Sequence, residues 1–96
     1  MILYLDTTAL VKIYVEETRS ADVRENAKKA EGLATSRIAY AEACAAFARK
    51  RRDQGLSRAD YRSVVDDLDE DWGDYFIVES LKVWFGPRVF WRRIRL

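Results

Sequence analysis

The sequence predicts an α/β fold built on a small parallel sheet, and three observations carry that expectation. The chain opens with an apolar run, Met1-Ile2-Leu3-Tyr4-Leu5, that ends abruptly in Asp6. Five apolar residues in succession suit a strand buried on both faces, as parallel strands are. Behind it, strand-like and helix-like segments alternate in the order strand, helix, helix, strand, helix, helix, strand. Alternation of that kind predicts parallel strands joined by helical crossovers. Finally, 96 residues with 49% apolar content make one ordered domain, small for its class.

Each element has its own local reason. After the first strand, Leu10, Val11, Ile13 and Tyr14 form an apolar stripe and predict a helix over 8–16. Residues 20–30, with Val23, Ala27 and Ala30, read as a second and mostly exposed helix that Gly32 breaks. Leu33-Ala34-Thr35 is a short buried strand. The alanine-rich stretch 37–53 is a strong helix whose last turn, Arg49-Lys50-Arg51-Arg52, suits the negative end of the helix dipole. Gly55 stops it. Ser57-Arg58-Ala59-Asp60 resembles a capping box, and Tyr61, Val64, Val65, Leu68 and Trp72 recur at helical spacing, giving a helix over 58–72. Residues 75–79 form the last strand of the pattern.

Composition excludes several chemistries. The sequence has no histidine, so Ser-His and Cys-His nucleophile pairs and imidazole zinc sites are absent. One cysteine, Cys44, makes no internal disulfide and fits a reducing cytoplasmic setting. No apolar stretch reaches the length of a membrane span, and the N-terminus lacks the basic region of a signal peptide. An enzyme with this composition works with carboxylates, Lys, Tyr or a hard metal ion.

Two carboxylates stand out. Asp6 falls at the carboxyl end of a parallel strand, where ligands bind in open α/β sheets. It is equally an N-cap for the helix that follows, a role that Thr7 or Thr8 could also fill. Glu42 lies in the first turns of the alanine-rich helix, with Ile38, Ala39, Ala45 and Ala46 as its helical neighbours. That is an apolar, small-residue face, where a carboxylate is costly unless paired or bound to a metal. Together the two acids could share Mg²⁺ or Mn²⁺, which prefer oxygen ligands. Carboxylate-held ions of this type cleave phosphodiesters through an activated water. The acid run from Asp66 to Asp71 reads instead as a solvated face or a contact for a basic partner. The basic block 49–52 reads as helix-end solvation, or as a guide for an RNA backbone.

The segment YLDTTALVKIYVEE resembles the first motif of the PIN domain, in particular of VapC-type toxin ribonucleases. The segment TSRIAYAEACAAFARKRRDQGLS resembles the second. The likeness covers about residues 1–79. It implies a PIN-like three-layer α/β/α fold, here incomplete at the C-terminus, and Mg²⁺-dependent endoribonuclease activity on RNA. It also implies a homodimer and inhibition by a small antitoxin protein. Carried over, Asp6 matches the first metal-binding and catalytic acid and Glu42 the second. Thr8 matches the small polar residue that supports the first. A PIN domain adds a third acid in a motif like YDAVHLA after the strand at 75–79. This chain has no acid after Glu79, so a catalytically inactive, truncated module that binds RNA or a protein partner is the alternative expectation.

Charge divides at the same point. Residues 1–79 hold 12 Lys and Arg against all 16 Asp and Glu, a balance of −4, whereas residues 80–96 hold five cations and no acid. The basic-aromatic tail LKVWFGPRVFWRRIRL has three readings. It is the product of a frameshift or truncation, a nucleic-acid-binding element whose aromatics stack on bases, or a structural cover with a hairpin turn at Gly86-Pro87.

Overall fold

The computed structural model describes residues 1–79 and the backbone of 91–93. Among them the elements are β1 (Ile2–Tyr4), α1 (Thr7–Tyr14), α2 (Ser20–Lys29), β2 (Gly32–Ser36), α3 (Arg37–Arg52), α4 (Arg58–Trp72), β3 (Phe76–Val78) and β4 (Trp91–Arg93). The sheet has the order β3-β2-β1-β4, and every pairing is parallel. The α/β expectation and the position of each of the first seven elements hold. The strand β4, paired to β1 through Ile2 and Trp91, is one that periodicity did not assign. The Gly86-Pro87 turn, like residues 80–90 and 94–96, lies outside the described residues.

The first strand is central because its side chains are apolar on both faces. Leu3 and Leu5 join one cluster with Ala9, Leu10 and Val11 of α1, Val23 of α2, Ala39, Ala43 and Phe47 of α3, and Val64 and Leu68 of α4. Tyr4 faces the other way and packs with Ala34, Val78 and Ile2. The period-two alternation of a strand thus supplies two separate apolar layers from one short run. Two buried polar side chains are satisfied locally. Ser20 Oγ donates to the Val15 carbonyl, and Thr35 Oγ1 donates to the Leu5 carbonyl at 2.8 Å. The second bond ties the ends of β1 and β2 together immediately before Asp6.

Helix stops differ in part from their sequence signals. Ser57 caps α4 as expected, its Oγ accepting from the Asp60 amide at 3.0 Å. Gly32 does not break α2, which ends at Lys29; it opens β2 instead. A Cβ at that position would come within 2.7 Å of the Phe76 ring and 3.0 Å of Ile2, so the absence of a side chain lets the neighbouring strands close up. At the end of α3 the left-handed residue is Gln54, with φ of 64°, and not Gly55. The Gly55 amide donates to the Lys50 carbonyl and the Gln54 amide to that of Arg51, the two bonds of a Schellman stop. Glycine is preferred where Gln54 stands. Gln54→Gly is therefore expected to raise stability by about 0.5–1 kcal/mol, strain relief being partly offset by the looser unfolded chain. A higher urea midpoint with unchanged slope is the measurement that checks it.

Candidate active site at the carboxyl edge of the sheet

The carboxyl ends of parallel strands converge on one edge, and the chain places its polar side chains there. Asp6 follows β1, Arg37 follows β2 and Glu79 follows β3. Asp6 is the N-cap of α1: its Oδ1 accepts from the Ala9 amide at 2.9 Å. Capping is favourable because it satisfies an amide that has no partner within the helix. Next to it, Thr7 Oγ1 donates to Glu42 Oε1 at 2.7 Å. A residue adjoining Asp6 is thus in direct contact with Glu42 across 35 positions of sequence. The packing of α1 against α3 makes this possible, with Ala39 and Ala43 buried between them and small enough to allow a close approach.

One sequence expectation needs correction here. Glu42 does not lie on a buried apolar face; it is exposed. Helix α3 turns Ala39, Ala43 and Phe47 inward, and Glu42 sits beside that row with Ile38, which is 66% exposed. The structure adds Thr7, which the sequence did not single out as supporting Glu42 and whose hydroxyl donates to it. Sequence reasoning also passed over Arg37, whose Nε meets Glu79 Oε1 at 2.7 Å. Both groups are well exposed, so the pair contributes little to stability. It does commit Glu79 to a guanidinium at the same edge. Nothing local in the sequence signals such a contact between α3 and the end of β3.

The donors at this edge suit a hard cation. Asp6 and Glu42 offer carboxylate oxygens and Thr7 a hydroxyl, the ligand chemistry that Mg²⁺ and Mn²⁺ accept while keeping several waters. Among the described residues no three Asp, Glu or Cys side chains cluster closely enough to hold an ion by themselves. A separate hollow of about 500 Å³, lined by Ile13, Ala27, Gly32, Leu33 and Tyr75, opens near the amino end of β2 and contains neither acid. No described helix is long and apolar enough to cross a membrane.

The acid run on α4 does more than face solvent. Tyr14 donates to Asp71 Oδ2 at 2.9 Å and shares a 2.7 Å hydrogen bond with the Tyr75 hydroxyl. Tyr40 donates to Asp69. That bond is the main reason the Tyr40 hydroxyl is pushed up to about 12, burial adding to it. Burial first, then the contacts with Tyr75 and Asp71, drives Tyr14 far above the ordinary tyrosine range, and burial likewise raises Tyr75. Because folding raises these values, the neutral hydroxyls support the fold at all pH below about 10, the unfolded value. That support fades as pH climbs further. Denaturant titrations are expected to show stability dropping above about pH 10, with Tyr14→Phe flattening the drop. An equal slope in the variant would refute the assignment.

A protein-family model, the PIN domain, matches residues 3–82 of the chain. No curated protein matches it.

Proposed function

Because this chain belongs to the PIN domain family, a family of nuclease-type folds that generally depend on divalent metal and act on RNA or DNA, we propose that it is an Mg²⁺-dependent endoribonuclease of the toxin–antitoxin type. The observation that carries the proposal is the Thr7–Glu42 hydrogen bond, which brings the neighbourhood of Asp6 and the side chain of Glu42 to one edge of the sheet. Asp6 and Glu42 would hold the ion, with Mn²⁺ as a substitute. The bound ion would lower the pKa of a water and offset charge on the phosphate. The protein's own part is positional. The cap bond from Ala9 fixes Asp6, the Thr7 hydroxyl fixes Glu42, and the Thr35–Leu5 bond fixes the strand end from which Asp6 projects.

The wider setting we propose is a cytoplasmic homodimer neutralised by a small antitoxin protein. The test is cleavage of RNA by purified chain in Mg²⁺. Cleavage that EDTA stops and fresh Mg²⁺ restores supports the reading, and its absence at high Mg²⁺ overturns it. The second reading is a catalytically inactive PIN module, residues 1–79 followed by an atypical basic-aromatic tail, that binds RNA or a protein partner. It is favoured by one observation: no acid follows Glu79, and Glu79 itself is paired with Arg37. Chelator-insensitive binding without turnover distinguishes it.

A further inference from the structure

We infer that the groove between α1 and α3 is the track along which single-stranded RNA leaves the candidate site, with Arg49 and Lys50 holding the phosphates next to the scissile one. This rests on the proposed reading of the protein as acting on RNA. The groove has a volume of about 340 Å³ and is lined by Thr7, Thr8, Glu17, Arg49, Lys50 and Asp53, with Val11 and Ala46 as its floor. It begins at Thr7, the residue bonded to Glu42.

Helix geometry sets the direction. Arg49 is seven residues beyond Glu42 on α3, which is close to two full turns and about 10.5 Å along the axis. Both therefore lie on one stripe of the helix, with Ala45 and Ala46 between them, too small to block a chain lying across. Arg51, by contrast, points to the far side, where its guanidinium sits 5.9 Å over the Tyr61 ring. Charge along the groove is arranged, not merely accumulated. Lys50 Nζ is 3.1 Å and Lys12 Nζ 4.0 Å from the same carboxylate, Glu17 Oε2. One acid thus holds two ammonium groups in place and neutralises only one. Arg49 is exposed and has no ion-pair partner among the described residues. In the lining itself Arg49 and Lys50 balance Glu17 and Asp53, and Lys12, outside the lining but on Glu17, brings a third cation to its edge. At the near end Thr7 and Thr8 supply hydroxyls for phosphate or ribose oxygens. An exposed Arg49 without an ion-pair partner among the described residues, and two ammonium groups sharing Glu17, in a groove that starts beside the two acids proposed to bind metal, fit a polyanion that must reach those acids.

The test separates this assignment from catalysis. A labelled single-stranded oligoribonucleotide of mixed sequence is titrated with the full chain carrying Asp6→Asn, in EDTA, so binding is read without cleavage. Adding Arg49→Gln and Lys50→Gln together is expected to weaken binding about tenfold and to lower the slope of log affinity on log salt by about 1 to 2. Arg62→Gln, on α4 near Arg51 and Tyr61 and away from the groove, should change either quantity little. Arg49→Gln alone, at an exposed position, serves if the double variant does not fold, and Arg49→Lys should recover most of the affinity. Equal affinity and slope in the double variant overturn the groove, as does an equal loss from Arg62→Gln. Failure of the parent to bind RNA, or capture of an acidic peptide with RNA binding unaltered by the groove variants, also overturns it. Retained, groove-dependent binding by a chain that never cleaves RNA supports the groove and counts only against the nuclease reading.

Discussion

Asp6→Asn is expected to reduce metal-dependent RNA cleavage by about 10³-fold, the rate equivalent of roughly 4 kcal/mol, while leaving the fold intact. The substitution is informative because Asp6 has two candidate roles. As an N-cap its Oδ1 accepts from the Ala9 amide, and asparagine caps a helix about as well as aspartate. As a metal ligand it needs its negative charge, which asparagine lacks. An unchanged urea midpoint with lost turnover therefore assigns the charge a function beyond capping. Asp6→Ala should lose the activity and also about 1 kcal/mol of stability. Glu42→Gln works the same way, since glutamine keeps an oxygen to accept from Thr7 but loses the charge. Full activity in Asp6→Asn would leave the cap bond as the function of the residue and end its assignment as a metal ligand.

Phe47→Ala is expected to destabilise the domain by about 3–5 kcal/mol, measured as a shift in denaturant midpoint. Phe47 is completely buried and is the largest side chain so enclosed among the described residues. It reaches from α3 into the cluster that joins β1 to all four helices, and its ring meets Tyr14 edge-on at 6.5 Å. A domain of this size has only some 5–14 kcal/mol to lose, so the variant should be largely unfolded at elevated temperature. Phe47→Leu, which fills most of the space, should cost far less. A loss below about 1 kcal/mol for Phe47→Ala would mean that α3 is not anchored through this ring. The placement of Glu42, carried on the same helix, would then need another explanation.

Much of the fold was readable locally because it depends on local patterns. The apolar run 1–5 has to be buried on both sides, and Leu3, Tyr4 and Leu5 are, while Ile2 is half-buried and Met1 exposed. The spacing of Val64 and Leu68 defines the inner face of α4, and both are buried there. The Ser57 cap was visible as a tetrapeptide. Failures occurred where a residue's neighbours come from elsewhere. Gly32 looked like a helix breaker because its strand partner Ile2 and the Phe76 ring that lies against it are invisible in its own segment. Glu42 looked buried because its helical neighbours are small and apolar, yet the row one step away faces the core. Asp69 and Asp71 are exposed, as expected of a solvated face, but the tyrosines they receive stand 29 and 57 residues distant and were not legible.

By itself, then, the amino-acid order determined the succession of strands and helices, the location of Asp6 at a strand end and the capacity of its carboxylate to start a helix. These follow from periodicity and from hydrogen bonds within a few residues. Only the tertiary structure decided that Thr7 bonds Glu42, that Glu79 is engaged by Arg37 and that Lys12 and Lys50 meet on Glu17. The physical reason is distance along the chain. Each of these contacts except Lys12–Glu17 joins groups more than thirty positions apart, and they are set by how α1 and α3 pack over a parallel sheet, information that no single segment contains.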